Sequence, residues 1–80
     1  MKHRHESKFA ICIANQGCDD LEVWKLYRVL ADATAAKEGY LRIVDESGED
    51  YLYPASRFVL VDFPPQIEDK LLAIHSSSVA

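Results

Sequence analysis

The sequence has few of the residues that punctuate or cross-link a chain. Its 80 residues include three glycines, three prolines and two cysteines. The glycines stand far apart, which excludes a glycine-rich phosphate-binding loop. No apolar run approaches the length of a membrane-spanning helix, and no signal-peptide pattern opens the chain. We therefore expect a cytoplasmic protein that does not enter a membrane.

The two cysteines, Cys12 and Cys18, do not indicate a metal site. Structural zinc sites typically pair ligands closely, as in two cysteines separated by two residues, whereas five residues separate these. In a reducing compartment both are expected to be free thiols. Cys12 lies between two isoleucines and is expected to be a small apolar residue of the core. We predict no metal and no other cofactor.

Charge is distributed unevenly along the chain. The formal net charge is −4, with +2 on the first eight residues and −6 on the remainder. An acidic body disfavours contact with the phosphates of nucleic acid, so the basic start is interpreted as a solvated tail. Four acidic residues cluster near Gly48, but they lack the alternating ligand spacing of a calcium loop.

The length corresponds to one domain. We predict a flexible tail over residues 1–7, one folded domain over residues 8–75 and a frayed end over residues 76–80. A chain of this size buries only about 60–65% of its unfolded surface, so a homodimer would be a source of further burial.

The strongest structural pattern is a pair of β-rich stretches, residues 41–45 and 50–53. The short connection between them suits a hairpin loop whose left-handed residue is Gly48. With Asp45 opposite Glu49, the predicted register puts four apolar side chains on one face. These are Leu41, Ile43, Tyr51 and Tyr53.

Three further strands and a turn are predicted. Residues 8–14 form a short apolar run of strand length. Residues 21–31 fit either a helix or a strand, and their two valines, tryptophan and tyrosine favour the strand. Residues 54–57 suit a turn or a short 3₁₀ segment, and residues 58–63 a last strand. Its nearly continuous apolar run predicts that both faces are covered.

Two helical segments are predicted. Residues 32–38 are alanine-rich, begin at the capping residue Asp32 and stop at Gly39, which indicates a short helical turn. A C-terminal helix near residues 65–74 carries an apolar stripe and is the candidate cover for the last strand. The stripe consists of Ile67, Leu71, Leu72 and Ile74.

This mainly β order, with about five antiparallel strands, resembles a Src-homology-3-like barrel. Residues 53–59, YPASRFV, are similar to the end of that barrel, where a proline precedes a 3₁₀ turn. The resemblance implies that Tyr53 and Val59 are core and that Phe58 looks toward the ligand-binding face. The chain lacks an ALYDY-like stretch near its start and a tryptophan directly after the hairpin turn. Polyproline recognition is therefore not implied.

A second resemblance rests mainly on the segment VDESGEDYLYP, residues 44–54. Together with the flanking sequence, about half the chain is similar to a family of small, functionally uncharacterised bacterial proteins. The resemblance implies the barrel and carries no activity with it.

Aromatic residues give the main functional indication. A small barrel cannot bury all of them, and tyrosine and tryptophan often mark contact surfaces. We predict a partner-binding patch of Trp24, Tyr40 and Phe58, with Arg57 as an adjacent anchor. No arrangement of nucleophile and base is evident, so we expect no catalytic residue. The predicted function is a non-catalytic protein-interaction module, binding a protein partner or a second copy.

The alternative function is association with nucleic acid or the ribosome, which other small barrels achieve by stacking bases on aromatic residues. That function requires Arg28, Arg42 and Arg57 to converge on one face. The sequence leaves open which aromatic residues are exposed, the identity of the partner and the oligomeric state.

Overall fold

The computed structural model describes the backbone of residues 7–77 and the side chains of residues 7–74. Within that range the chain forms five strands, two helices and one 3₁₀ turn, η1. Their order is β1 (Phe9–Cys12), β2 (Leu26–Leu30), α1 (Ala33–Lys37), β3 (Tyr40–Val44), β4 (Asp50–Pro54), η1 (Ala55–Arg57), β5 (Phe58–Val61) and α2 (Pro65–Ser77). The predicted mainly β fold with a C-terminal helix is confirmed.

The five strands form one antiparallel sheet in the order β4-β3-β2-β1-β5. Strands β4 and β5 are its two edges, and the sheet is open between them. Because directly opposed residues share a face, the register defines two faces. We call the face of Ala10 and Ile43 the inner face, and that of Phe9 and Val44 the outer face.

The β3–β4 hairpin has the predicted register. Leu41 is opposite Tyr53 and Ile43 is opposite Tyr51. The Asp45 N–H donates to the Glu49 carbonyl at 3.1 Å, which closes the loop. Gly48 has a φ of +86°, a left-handed conformation that glycine adopts without steric cost. The turn chemistry visible in the sequence is therefore sufficient to set this register.

The core lies on the inner face. Edge-to-face ring contacts join Phe58 to Tyr27 at 6.4 Å and to Tyr53 at 6.1 Å between centroids. Leu21, from the loop before β2, is only 2% exposed and belongs to the same buried cluster. The buried cluster consists of Ala10, Cys12, Leu21, Tyr27, Val29, Ile43 and Phe58. Both cysteines are free, as expected.

The prediction of a strand over residues 21–31 is wrong in its first half. Strand β2 begins at Leu26, and residues 21–25 form a turn. The turn is fixed by tertiary contacts, since Leu21 is buried in the core and the Trp24 N–H donates to the Cys12 carbonyl at 2.7 Å. Local β propensity is overridden there by these contacts.

The prediction that both faces of the last strand are covered is also wrong. Val59 and Leu60 are each 51% exposed, so Val59 is not a core residue. The strand ends at Val61, at the edge of the sheet. Helix α2 instead places Leu71 and Ile74 beside the outer face of the central strands.

The short segments agree with the sequence more closely. Asp32 caps α1 by accepting from the Ala35 N–H at 2.9 Å, and Gly39 follows with a φ of +84°. The Ser7 hydroxyl donates to Asp62 at 2.6 Å, and α2 continues to Ser77. Otherwise the predicted tail and frayed end, residues 1–6 and 78–80, lie outside the described residues. No helix in the described range combines the length and apolar character needed to span a membrane.

Candidate functional site

The loop between β1 and β2, residues 13–25, is held by specific contacts. The Asn15 side chain donates to the Leu21 carbonyl at 3.1 Å, and the Cys18 N–H donates to the Asn15 carbonyl at 2.9 Å. Gly17 supplies a left-handed turn with a φ of +75°. These bonds and the buried Leu21 side chain give the loop one defined conformation.

A hydrogen-bonded chain ties this loop to the β3–β4 turn. The Glu22 N–H donates to the Tyr27 hydroxyl at 2.7 Å, and this hydroxyl donates to Glu46 at 2.6 Å. Lys25 forms an ion pair with the same carboxylate at 2.6 Å. The hydrogen bond from Lys25 and, to a smaller extent, the one from Tyr27 hold the pKa of Glu46 below its ordinary value. Burial is the main reason that the pKa of Tyr27 is raised.

Trp24 is the most unusual residue of the loop. It has a φ of +79°, in the left-handed region that bulky residues rarely adopt, and its side chain is 84% exposed. Neighbouring bonds hold the backbone in place, because the Trp24 N–H donates to the Cys12 carbonyl and the Cys12 N–H donates to the Lys25 carbonyl. The indole is therefore presented to solvent from a backbone held on both sides.

Two exposed aliphatic residues are sequence neighbours of Trp24 or of its hydrogen-bond partner Cys12. Val23 precedes it and is 42% exposed, while Ile13 follows its hydrogen-bond partner Cys12 and is 51% exposed. The Ile13 N–H donates to the Arg57 carbonyl at 2.8 Å, which brings η1 against this segment. We call Ile13, Val23, Trp24 and Arg57 the Trp24 surface.

The structure assembles only part of the predicted aromatic patch. Phe58 is 7% exposed and packs in the core, so its assignment to a contact surface is wrong. Its inward orientation follows from the register of β5 on β1, where it lies opposite the buried Cys12. Trp24 and Arg57 both flank the end of β1, because the Trp24 N–H donates to the Cys12 carbonyl and the Arg57 guanidinium donates to the Ala14 carbonyl at 3.2 Å.

Tyr40 lies apart from this surface. It begins β3 and pairs with Pro54, at the end of the sheet where β2 finishes. Trp24 precedes β2 and therefore lies at the opposite end of the sheet. Tyr40 is 41% exposed and lines a separate cavity of about 330 Å³ beside α1. It does not contribute to the same contact surface as Trp24.

Acidic side chains gather at the end of the sheet that carries Trp24. The Glu46 N–H donates to the Asp20 carbonyl at 3.0 Å, so the β1–β2 loop abuts the β3–β4 turn. Lys25 is the cation of these two loops in the described range, and it is paired with Glu46. The acidic residues of the two loops are Asp19, Asp20, Glu22, Asp45, Glu46 and Glu49.

The three arginines named for the nucleic-acid alternative do not converge. Arg42 lies on the outer face between Asp32 at 2.8 Å and Asp50 at 3.0 Å. Arg57 is on η1, bonded to the Ala14 carbonyl. Arg28 shares the outer face with Arg42 but is one row away. The guanidinium groups of Arg42 and Arg57 are thus engaged within the protein.

The described side chains contain no group of three or more histidine, cysteine, aspartate or glutamate residues placed to hold a metal ion. The best-organised polar cluster surrounds Asp45, which accepts from the Ser47 and Tyr53 hydroxyls, each at 2.5 Å. Its bonds fix the hairpin turn and leave little of this carboxylate exposed.

The fold and this surface define a class: a small antiparallel sheet protein with a fixed, exposed tryptophan beside acidic loops. No family model, curated protein or solved structure matches the chain.

Proposed function

We propose that this protein is a non-catalytic interaction module that docks a basic segment of a partner protein on the Trp24 surface. The observation that carries the proposal is the 84% exposure of Trp24 on a left-handed backbone. A tryptophan at such a position costs conformational energy and, being exposed, regains little by burial. Strain that the surrounding bonds maintain is typical of functional sites, and tryptophan is enriched among residues that dominate binding energy.

The rigidity of the loop supports the same proposal. Binding is strengthened when the contact residues are already ordered, because less conformational entropy is lost on association. Leu21 is buried, and the Trp24 N–H is bonded to Cys12 across the loop. The indole can therefore enter a pocket on a partner without first ordering its own backbone.

Charge complementarity specifies the chemistry of the partner. The two acidic loops beside Trp24 have a surplus of carboxylates, and the whole chain carries a formal charge of −4. A partner segment rich in lysine and arginine, with apolar residues to contact the indole, matches this surface. The basic segment belongs to another protein, and self-association is an outcome that the experiment below distinguishes.

The proposed setting is a bacterial cytoplasm, with the fold as a Src-homology-3-like barrel. Support for the barrel comes from the strand order, in which β1 lies between β2 and β5, and from the 3₁₀ turn between β4 and β5. The free Cys12 and Cys18 thiols fit a reducing compartment. Both statements rest on the sequence resemblance as well.

A displayed library of random peptides tests the proposal. Peptides enriched on the wild-type protein should combine basic and apolar residues. For the best of them, Trp24→Ala should weaken binding about 30-fold or more, as expected for a dominant contact residue. The matched control is Tyr40→Ala, an exposed aromatic at the opposite end of the sheet, which should leave the affinity unchanged.

Several outcomes would overturn the proposal. They are enrichment of acidic peptides, equal losses for the two variants, and absence of any enriched peptide. Sedimentation equilibrium of the wild type and the Trp24→Ala variant tests for self-association. If the wild type is a dimer and the variant is a monomer, the partner is a second copy of this chain. Binding of single-stranded RNA at low salt would favour the nucleic-acid alternative instead.

A further inference from the structure

A groove lies on the outer face between the sheet and α2, and at one end it reaches Lys25 and the β3–β4 turn. Its volume is about 570 Å³, within the range of small-molecule sites. Phe9, Leu26 and Val44 from the sheet form one wall, and Leu71 and Ile74 from α2 contribute to the other. Ile74 is 63% exposed although it borders the groove, so α2 covers the sheet incompletely.

Arg28 lies in the middle of this apolar wall. The strand register places it directly opposite Phe9 on β1 and opposite Val44 on β3. All three side chains therefore project from the outer face in one row. Arg28 lines the groove together with Phe9 and Val44.

One donor of the Arg28 guanidinium lacks a partner within the described part of the chain. Its Nε is buried, and no hydrogen bond satisfies it among residues 7–77. Burying such a donor without an acceptor is unfavourable, which is why most buried polar groups in proteins are paired. Arg42 and Arg57, in contrast, have acceptors within the protein.

Asp45 and Glu46 also line the groove, at the β3–β4 turn, and both carboxylates have partners of their own. Asp45 accepts from Ser47 and Tyr53, and Glu46 is paired with Lys25 at 2.6 Å. Neither is hydrogen-bonded to Arg28. Lys25 also lines the groove but is paired with Glu46, so Arg28 is the cation of the groove that keeps an unpaired donor.

We propose that the groove between α2 and the outer face binds a small amphipathic carboxylate, an aliphatic chain that ends in a carboxyl group. The alkyl chain lies along Phe9, Leu26 and Leu71. The carboxylate accepts from the Arg28 guanidinium, whose adjacent N–H groups match two carboxylate oxygens. The bound ligand also covers the part of the groove that α2 leaves open.

A titration with decanoate below its critical micelle concentration tests the proposal. Binding is monitored through the amide ¹H–¹⁵N chemical shifts of the protein. Saturable shifts are expected for Phe9, Leu26, Arg28 and Leu71, and not for Tyr40, which lies outside the groove. Decyltrimethylammonium, which has the same chain and the opposite charge, should bind much more weakly. Shifts of equal size with both ligands would overturn the role of the carboxylate.

Arginine variants test the donor. Arg28→Met keeps the apolar stem and should weaken decanoate binding about 10- to 100-fold, the loss expected for a hydrogen bond to a charged group. Arg28→Lys retains the charge and should retain part of the affinity. Lys37→Met, which removes an exposed cation of α1 outside the groove, is the matched control and should bind like the wild type.

Two results would contradict the inference. One is the absence of decanoate shifts in the folded wild-type protein, and the other is equal affinity for the wild type and Arg28→Met. If Arg28→Met fails to fold, the affinities of Arg28→Lys for decanoate and for decyltrimethylammonium are compared instead. Equal affinities for the two ligands would contradict the inference. Because none of the four residues of the Trp24 surface lines the groove, failure here leaves the docking proposal untouched.

Discussion

Asp45 is a charged residue in a buried position, 5% exposed at the start of the hairpin loop. Burial by itself raises the pKa of this carboxyl, but hydrogen bonds from Ser47 and Tyr53 outweigh it and hold the pKa below the ordinary value of 3.8. Burial is the main cause that raises the pKa of the Tyr53 hydroxyl, and its hydrogen bond to Asp45 raises that pKa further. A single ionised side chain therefore connects the turn to a tyrosine beside the core.

Replacing this residue tests its contribution to stability. Asp45→Asn should lower the free energy of unfolding near neutral pH by about 2 kcal/mol, because hydrogen bonds to a charged group are lost or weakened. Asp19→Asn, at an exposed loop position, is the control and should change it by less than about 0.5 kcal/mol. Urea denaturation measures both values.

The pH dependence follows from the same pKa. Since the folded-state pKa of Asp45 is depressed, its contribution is fully present above the ordinary value of 3.8 and is lost as pH falls through the folded value. Asp45→Asn should therefore lose less stability than the wild type on acidification over this window. If the free energy of unfolding falls in parallel with pH for the two proteins, Asp45 is not the source of the acid sensitivity.

At the scale of elements, the β3–β4 hairpin is the best-specified part of the molecule. Its alternating apolar residues and its left-handed glycine agree on one register, and β3 also pairs with β2. The β1–β2 connection is the opposite case, because its residues suit a strand locally and form a turn in the fold. Helix α2 is intermediate, correctly predicted as a helix but placed over different strands.

Gly48 tests the hairpin turn. A Cβ there would have nothing within 4 Å, so any cost of substitution comes from the backbone φ of +86°. We expect Gly48→Ala to destabilise the protein by about 1 kcal/mol, and Gly48→Asn to cost less, because asparagine tolerates the left-handed region better. Thermal or urea unfolding measures both. Equal losses would indicate that the backbone conformation is not the cause.

At the scale of the whole molecule, the acidic charge favours association with basic partners. The formal charge of −4 includes carboxylates from two loops at one end of the sheet. Fields from exposed charges act over about 10 Å in 0.1 M salt and are screened over shorter distances as salt increases. Electrostatics should therefore affect the rate of association with a partner more than the contact of the indole.

Salt provides the corresponding test with an enriched peptide. Raising the salt concentration from about 20 mM to about 300 mM should weaken binding about tenfold, mainly through slower association. The affinity ratio between the wild type and Trp24→Ala should stay constant, since the indole contact is apolar. Affinity that does not change with salt would contradict the charge complementarity proposed for this surface.

The hairpin register, the η1 turn and the cap of α1 at Asp32 could be predicted because each depends on residues close in sequence. Gly48 and Gly39 mark left-handed positions, and apolar alternation fixes which side of a hairpin is buried. The sequence also indicates Trp24 as a contact residue, from composition and not from its backbone conformation, and that role stays a prediction. Such features need no knowledge of distant parts of the chain.

Features that join distant residues could not be predicted in the same way. The exposure of Phe58 and Val59 depends on how β5 registers against β1, and the buried position of Phe58 reverses the assignment made from the resemblance. Leu21 converts a strand-like segment into a turn because it is buried in the core. Arg28 gave no signal in the sequence, since its importance comes from the Phe9 and Val44 neighbours that the sheet supplies.

The sequence by itself determined the mainly β character, the hairpin and the positions of both helices, because local turn chemistry and periodicity act over a few residues. Only the tertiary structure decided which side chains are exposed. The Trp24 N–H is bonded to Cys12 and Leu21 of the same loop is buried in the core, while Arg28 lines a groove formed by three strands and a helix. Exposure depends on packing between segments distant in the chain, and no local pattern encodes it.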